Sequence, residues 1–381
     1  MPASRPAPAD QVTPAHVAAF RGPLLDAFRP DARPMPWRET DAAGRRDPYR
    51  VWLSEIMLQQ TRVDQARPYF ERFVASFPTV AALAAAPLDE VLKNWEGLGY
   101  YSRARNLHRA AQQVMEAHGG RIPDEMDGFR ALPGVGPYTA AAVLSLAFGR
   151  PHAALDGNVV RVLTRVFAVE EDAAKPRTRR GLQHIADALL APENPGRFNE
   201  ALMELGATVC TPKSPRCDRC PLRPVCAAAA AGEPERYPVK AKKAPVPHHD
   251  IAVAVIEDDA GRLLVQRRPT DAMLGGLWEF PGGKREGAEP LVETCRREVR
   301  EELGVEVAVG APIAQIPHAY SHFKITLHAF RCHITGGEPA HHAGEPVRWL
   351  TPAELDDVAF PRANRKLIES LQAEARAPRL L

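Results

Sequence analysis

Cysteine is scarce in this chain: 6 among 381 residues, too few to hold a scaffold together by disulfides. Long apolar runs are also missing. No segment has the length that crosses a bilayer, so a soluble protein with no membrane partner is expected. The N-terminal residues are rich in Pro and Ala without an apolar h-region, which argues against a secretory signal and reads residues 1–13 as a flexible tail. An excess of one charge is lacking too. The formal net charge is +2, with 29 Lys/Arg against 25 Asp/Glu in residues 1–230 and 20 against 22 in residues 231–381. So small an imbalance does not prove a nucleic-acid partner; local motifs must decide.

The cysteines that are present are not scattered. Four stand at Cys210, Cys217, Cys220 and Cys226, a C-x6-C-x2-C-x5-C run. In a reducing, cytoplasmic compartment such a cluster favours ligation over disulfides. Zinc usually takes two C-x2-4-C knuckles about a dozen or more residues apart, and only the middle pair here has knuckle spacing. A single compact loop around a cubane [4Fe–4S] cluster fits better, with structural zinc and free thiols as the alternatives.

A chain of this length exceeds one ordinary core and suggests two domains. Residues 14–231 read as helical, with apolar residues at three- and four-residue intervals and short Gly/Pro punctuation. Residues 232–248 are rich in Pro and Lys, lack periodicity and read as a linker. Beyond them, 251–256 and 262–266 alternate like strands around an Asp258–Gly261 turn, helical spacing returns at about 288–303, and 325–333 is strand-like. The expected class is multidomain: an all-α domain followed by an α+β domain at 249–381.

Two features of the helical half carry chemistry. Leu132-Pro133-Gly134-Val135-Gly136-Pro137-Tyr138 puts two glycines in a hairpin before an Ala-rich helix, a turn that offers backbone N–H groups to phosphate. Eighteen residues after Tyr138 stands Asp156-Gly157-Asn158, an acidic residue at a helix start, which also suits an N-cap. Glu55 lies in an otherwise apolar helical stretch (Val51-Trp52-Leu53, Ile56-Met57-Leu58), where burial would raise its pKa.

The hairpin, the aspartate at that interval and the cysteine loop together resemble the helix-hairpin-helix DNA glycosylases with an iron–sulfur cluster. Within them the chain is similar to the adenine DNA glycosylases of the MutY type. That likeness runs from Pro36-Trp37-Arg38 through Asp47–Thr61, Gly97–Asn106, the hairpin, Phe198-Asn199-Glu200 and the cysteines. The fold class it implies is an all-α helix-hairpin-helix glycosylase domain with its cluster loop at 210–226, followed by an α+β Nudix-like domain.

The resemblance also implies roles. Glu55 would protonate the leaving base, Asp156 would stabilise or trap the sugar cation with Asn158 orienting it, and Glu200 would assist at the adenine. Related enzymes that also cut the strand hold a lysine where this chain has Tyr138. A phenol forms no Schiff base, so the expectation is a monofunctional glycosylase. Arg38, Leu58, Gln60, Thr61, Leu98, Tyr100, Gly134 and Gly136 would meet DNA, with Gln60 and Tyr100 filling or wedging the duplex. The implied partner is double-stranded DNA carrying A opposite 8-oxoguanine; the implied setting is a cytoplasmic, nucleoid-associated monomer of bacterial type.

In the second half, Tyr320-Ser321-His322 matches the family's aromatic-Ser-His loop, with Tyr where Phe is expected, so Ser321 and His322 would read the oxidised guanine. Upstream, Gly283-x5-Glu289-x7-Arg297-Glu298-x2-Glu301-Glu302-x-Gly304 fits a complete Nudix box. Glu298, Glu301 and Glu302 fall about one helical turn apart and could converge on Mg2+, or form only a solvated acidic face. An endonuclease III-type glycosylase/lyase and a nucleotide-pool pyrophosphohydrolase are the rival readings.

Overall fold

The computed structural model describes residues 12–241, 245–320 and 322–376. Two compact units result, one of Met1–Ala84 with Arg109–Lys243 and one of Ala85–His108 with Ala244–Leu381. The helices in chain order are α1 Pro14–Ala27, α2 Pro48–Leu58, α3 Val63–Ser76, α4 Val80–Ala85, α5 Leu88–Trp95, α6 Ser102–His118 and α7 Met126–Arg130. They continue as α8 Pro137–Phe148, α9 Gly157–Val166, α10 Pro176–Leu189, α11 Pro195–Thr208, α12 Ala227–Ala230, α13 Leu291–Leu303 and α14 Arg362–Arg376. Among the described residues no helix is long and apolar enough to cross a membrane.

In the first unit, α2 explains itself residue by residue. Asp47 caps it by accepting from the Tyr49 amide at 2.8 Å, and Pro48 occupies the first turn, where no N–H is needed. Every residue from Val51 to Met57 is buried, so the helix is enclosed rather than amphipathic. Fully burying side chains such as Leu53 and Met57 contributes roughly 1.5–3 kcal/mol each. Helix α8 packs against α2, and its buried alanines, Ala140–Ala142, keep that approach close. Gly134, with φ of +76°, makes the left-handed bend that leads into α8.

Helices α1, α9, α10 and α11 share one core, which includes Phe20, Leu24, Leu163, Leu182, Ile185 and Leu202. The cysteine loop rests on it: Leu222 belongs to the core, and Cys210, Cys220 and Cys226 pack against it. α9 and α11 touch so closely that a Cβ at Gly206 would stand 2.6 Å from the Asn158 Cβ. Only glycine permits that approach.

The expected linker is docked for part of its length. Arg165 donates to the Tyr237 carbonyl at 3.1 Å, Ala173 N–H donates to Val239 at 3.2 Å, and Tyr237 is buried. Its Pro-rich composition conceals this, because the anchoring bonds come from α9 and the α9–α10 connection.

The second unit holds two sheets. One has the order β4-β1-β6-β5, built from β1 His248–Ile256, β4 Gly282–Lys284, β5 Glu306–Ala319 and β6 Lys324–Gly336. The other has the order β3-β2-β7, with β2 Leu263–Arg267, β3 Trp278–Glu279 and β7 Val347–Leu350. β1 runs parallel to β6 in the register Ile251↔Leu327. Its side chains alternate between two cores: Val253 and Val255 join Leu367 and Ile368 of α14, while Ala252, Ala254 and Ile256 join Cys295 and Val299 of α13. The segment Ala85–His108 belongs to this unit rather than to the rest of the helical half. Hydrogen bonds from Lys93 to the Val358 carbonyl and from Arg105 to the Gly275 carbonyl hold it there.

Candidate active site

One cleft of about 990 Å3 in the first unit gathers nine of the residues singled out in the sequence: Arg38, Glu55, Leu58, Gln60, Thr61, Tyr138, Asp156, Asn158 and Glu200. Arg38 comes from the short turn Pro36–Arg38, and the other eight come from α2 and the turn after it, the start of α8, the start of α9 and the middle of α11. These are the four packed elements described above.

Glu55 is 6% exposed, and burial pushes its pKa from 4.5 up to about 7; the hydrogen bond from Tyr138 opposes that rise, and the charges of Asp156 and Glu200 add to it. The Tyr138 hydroxyl donates to Glu55 Oε2 at 2.5 Å. Burial raises the Tyr138 pKa too, so it stays a neutral donor. A carboxylic acid poised near neutrality beside a fixed donor is what general-acid work requires.

Asp156 serves two structural purposes at once. Its Oδ1 caps α9 by accepting from the Val159 amide at 2.6 Å, and its Oδ2 accepts from Asn158 Nδ2 at 2.8 Å. Arg161 in turn donates to Asn158 Oδ1 at 2.7 Å, which fixes the amide's orientation. Burial raises the Asp156 pKa, while these hydrogen bonds counter it. The result is an aligned carboxylate aimed into the cleft beside an acid of different environment.

Glu200 is more heavily engaged than the sequence suggests. Arg38 Nε donates to its Oε1 at 2.7 Å, and Arg46 donates to Oε1 at 3.0 Å and to Oε2 at 2.7 Å. Arg38 also reaches Glu204 at 3.0 Å. Sequence reasoning missed Arg46, Met203 and Glu204. The last two had a signal: Glu200, Met203, Glu204 and Ala207 recur at one-turn spacing on α11 and share the cleft wall. Arg46 had none, because it lies in a polar turn.

Other expected contacts lie elsewhere. Gly136 caps α8 and Gly134 shapes the turn before it; neither lines the cleft. Leu98 is buried and Tyr100 half-buried, both within the second unit. His322 is exposed at the edge of a separate cleft of about 540 Å3 in that unit, next to Tyr320, whose ring stacks on Phe323 at 4.7 Å. Ser321 lies outside the described residues.

The Nudix-box glutamates are engaged by different partners. Arg297 binds Glu298 at 2.8 Å and Glu301 at 3.1 Å, and it also holds Glu289. Glu302 turns inward instead, accepting from Gln266 at 2.6 Å and from the Gly282 amide at 2.9 Å, and burial lifts its pKa to about 8. Among the described residues no group of three His, Cys, Asp or Glu could hold a single metal ion. The Mg2+ expectation at Glu298, Glu301 and Glu302 gains no support from this arrangement. One-turn spacing sets Cα positions, but the central arginine and the sheet decide where the carboxylates point.

The four loop cysteines line one small cavity, together with Arg165. Burial raises the pKa of Cys220 to about 11 and that of Cys226 above its ordinary value. Arg165, also missed, is buried at 2% exposure; it donates to Cys210 Sγ at 3.3 Å and to the carbonyls of Thr211, Pro212 and Tyr237. Lys213, Arg216 and Arg219, interleaved with the cysteines, are exposed.

The fold and the cleft define a class: a base-excision DNA glycosylase joined to a Nudix domain. Residues 53–187 match the HhH-GPD superfamily of base excision DNA repair proteins, and residues 252–370 match the NUDIX domain. The chain is 34% identical to the Homo sapiens protein named adenine DNA glycosylase, across 94% of this chain and 75% of that one. It is 30% identical to the Buchnera aphidicola (Acyrthosiphon pisum) protein of the same name, across 85% and 90%. The solved structure of a thermostable thymine-DNA glycosylase superposes with a TM-score of 0.51 at 30% identity, covering 56% of this chain and 97% of that one. This chain belongs to the adenine DNA glycosylase family.

Proposed function

We propose that the enzyme hydrolyses the N-glycosidic bond of adenine paired with 8-oxoguanine in duplex DNA and leaves an abasic site without cutting the strand. The observation that carries this is the pairing of Glu55, poised at a pKa of about 7 under the Tyr138 hydroxyl, with the aligned carboxylate of Asp156 in one cleft. Adenine leaves poorly as an anion, so Glu55 delivers a proton to the base as the bond breaks. Positive charge then develops on the sugar, where Asp156 stabilises it or bonds to it before water completes the hydrolysis. Reaching the cleft requires the nucleotide to leave the helical stack. Tyr138 supports the monofunctional reading, since its phenol cannot form an imine.

Recognition of the opposing 8-oxoguanine is assigned to the Tyr320-Ser321-His322 loop of the second unit. Tyr100 and Gln60, each with φ in the left-handed region (51° and 58°), are assigned to the duplex beside the lesion pair. Strained non-glycine backbone of this kind concentrates at functional turns.

A [4Fe–4S] cluster is proposed at Cys210, Cys217, Cys220 and Cys226. Four thiolates complete its ligands, so its contribution is to fix the loop and hold Lys213, Arg216 and Arg219 toward phosphate. Iron and inorganic sulfide analysis of the purified protein tests this, with stoichiometric zinc as the contrary result.

The function is tested by single-turnover adenine release from duplexes with A opposite 8-oxoguanine or guanine, using wild type, Glu55→Gln and Asp156→Asn. Loss of release in both variants, and strand breaks only after alkaline treatment, is expected. Full activity in either variant contradicts the mechanism, and nicking without alkali contradicts the monofunctional reading.

A further inference from the structure

The turn after α5 is unusually constrained. Gly97, Gly99 and Tyr100 have φ of 91°, 81° and 51°, three left-handed residues among four, and Tyr100 carries a side chain there. Such a turn keeps its shape only if its surroundings over-determine it. Local bonds supply part of this: Trp95 Nε1 and Arg103 Nη2 each donate to the Gly99 carbonyl at 3.0 Å.

Further bonds come from the corner that precedes α14. Glu96 Oε1 accepts from the Phe360 amide at 2.9 Å and from Arg365 at 3.2 and 2.9 Å, while its Oε2 accepts from Lys93 at 2.7 Å. The Glu96 and Arg365 side chains are each 18% exposed, so the pair is shielded from solvent. One residue further along, Gly97 N–H donates to Tyr101 Oη at 3.1 Å, and Tyr101 Oη donates to the Phe360 carbonyl at 3.4 Å. Both backbone polar groups of Phe360 are thus spent on this turn.

We propose that Glu96 is a positioning residue: through Phe360 and Arg365 it locks the Gly97–Tyr100 turn to the α14 corner of the Nudix-like fold. Duplex distortion at Tyr100 and reading of the opposing base by the C-terminal domain then act as one rigid piece. This rests on the assignment of Tyr100 to the duplex given above. Nothing in the cleft chemistry passes through Glu96; its effect is on base extrusion, before bond cleavage.

The test uses full-length protein and a duplex with 2-aminopurine beside the A:8-oxoguanine pair, whose fluorescence rises on unstacking. Glu96→Ala and Arg365→Ala each reduce the fluorescence rise and slow adenine release about tenfold, as misplacement of a positioning element does. The losses in the two single variants are less than additive in the double one, because the Glu96–Arg365 bonds are gone in either. Glu96→Gln, which still accepts the Phe360 N–H, recovers part of the signal. Leu367→Ala, a core change in α14, lowers the melting temperature but keeps the fluorescence rise; equal loss there makes the effect merely structural and overturns the proposal. Wild-type behaviour of Glu96→Ala, with Tyr100→Ala impaired, overturns the clamp and leaves the assignment of Tyr100 standing. Wild-type behaviour of Tyr100→Ala removes that assignment and the clamp built on it.

Discussion

The hydroxyl of Tyr138 donates to Glu55 Oε2 at 2.5 Å, so a phenol is the direct partner of the carboxyl group proposed as the acid. That hydrogen bond favours the ionised carboxylate and holds the Glu55 pKa lower than burial alone would. As the proposed acid Glu55 must be protonated to act, so release should be fast below its pKa of about 7 and fall as pH rises through it. Tyr138→Phe removes the opposing bond and raises the pKa further. The alkaline limb of the single-turnover pH–rate profile should move to higher pH, with strand cleavage still absent. An unmoved or lowered limb contradicts the coupling.

The same burial has a consequence for stability. Between pH 4.5 and about 7 the native state holds a proton on Glu55 that the unfolded chain has released. Stability therefore declines as pH rises across this window, by up to about 3 kcal/mol once Glu55 is fully ionised. Glu55→Gln removes the penalty while keeping an acceptor for Tyr138. Its melting temperature should exceed that of wild type at about pH 8 and approach it at about pH 4, although release is abolished. Thermal melts at both pH values check the pattern.

Glu55 and Asp156 stood out in the sequence as a carboxylate inside an apolar helix and an N-cap just before one, but the roles expected of them came from the resemblance, not from those patterns. Residues 325–333 were legible as a strand through β-branched and apolar alternation. β5 was not. Over Glu306–Ala319 it is mostly exposed and half-exposed, includes two prolines and pairs with β6 through shifted register, so no clean period of two survives. Arg46 and Arg165 were equally hidden. Their importance comes from partners at 154 and 45 residues' separation, and no window along the chain contains both ends. The affinity of Ala85–His108 for the C-terminal unit is likewise a matter of long-range bonds, such as Glu96 to Arg365.

Asp156 separates capping from chemistry. Asparagine caps a helix as well as aspartate does, whereas alanine costs about 1 kcal/mol. Asp156→Asn should lose adenine release with a melting temperature at or above wild type, since it also relieves a carboxylate disfavoured by burial. Asp156→Ala should lose release and melt lower. Equal melting temperatures in the two variants would show that the Val159 bond contributes little to α9.

Arg165 ties the cysteine loop together with bonds to three carbonyls and to Cys210 Sγ. Lysine keeps the charge but cannot reproduce a planar fork. Arg165→Lys should reduce iron content per protein and weaken duplex binding most at low salt, where phosphate contacts matter most. The pH profile of release from saturating enzyme should be unchanged, because Glu55 and Asp156 lie outside the loop. Retained iron with lowered affinity would assign Arg165 to DNA instead of to the loop.

Charge around Glu55 supplies a test in which two neighbours must act in opposite directions. Glu200 raises the Glu55 pKa by repulsion and Arg46 lowers it by attraction, while the two residues bind each other at 2.7 Å. Glu200→Gln removes a negative charge, so the Glu55 pKa falls and the alkaline limb of release moves to lower pH. Arg46→Gln removes a positive charge, so the limb moves to higher pH, and it leaves Glu200 with Arg38 as its remaining arginine. Glu200 is buried and loses one of its two arginines, so Arg46→Gln should also melt below wild type. In the double variant the opposing charges leave together, and both the limb and the melting temperature should return toward wild type. Shifts of the same sign in the two single variants would mean that Glu200 acts on the bound base directly rather than through the electrostatics of Glu55.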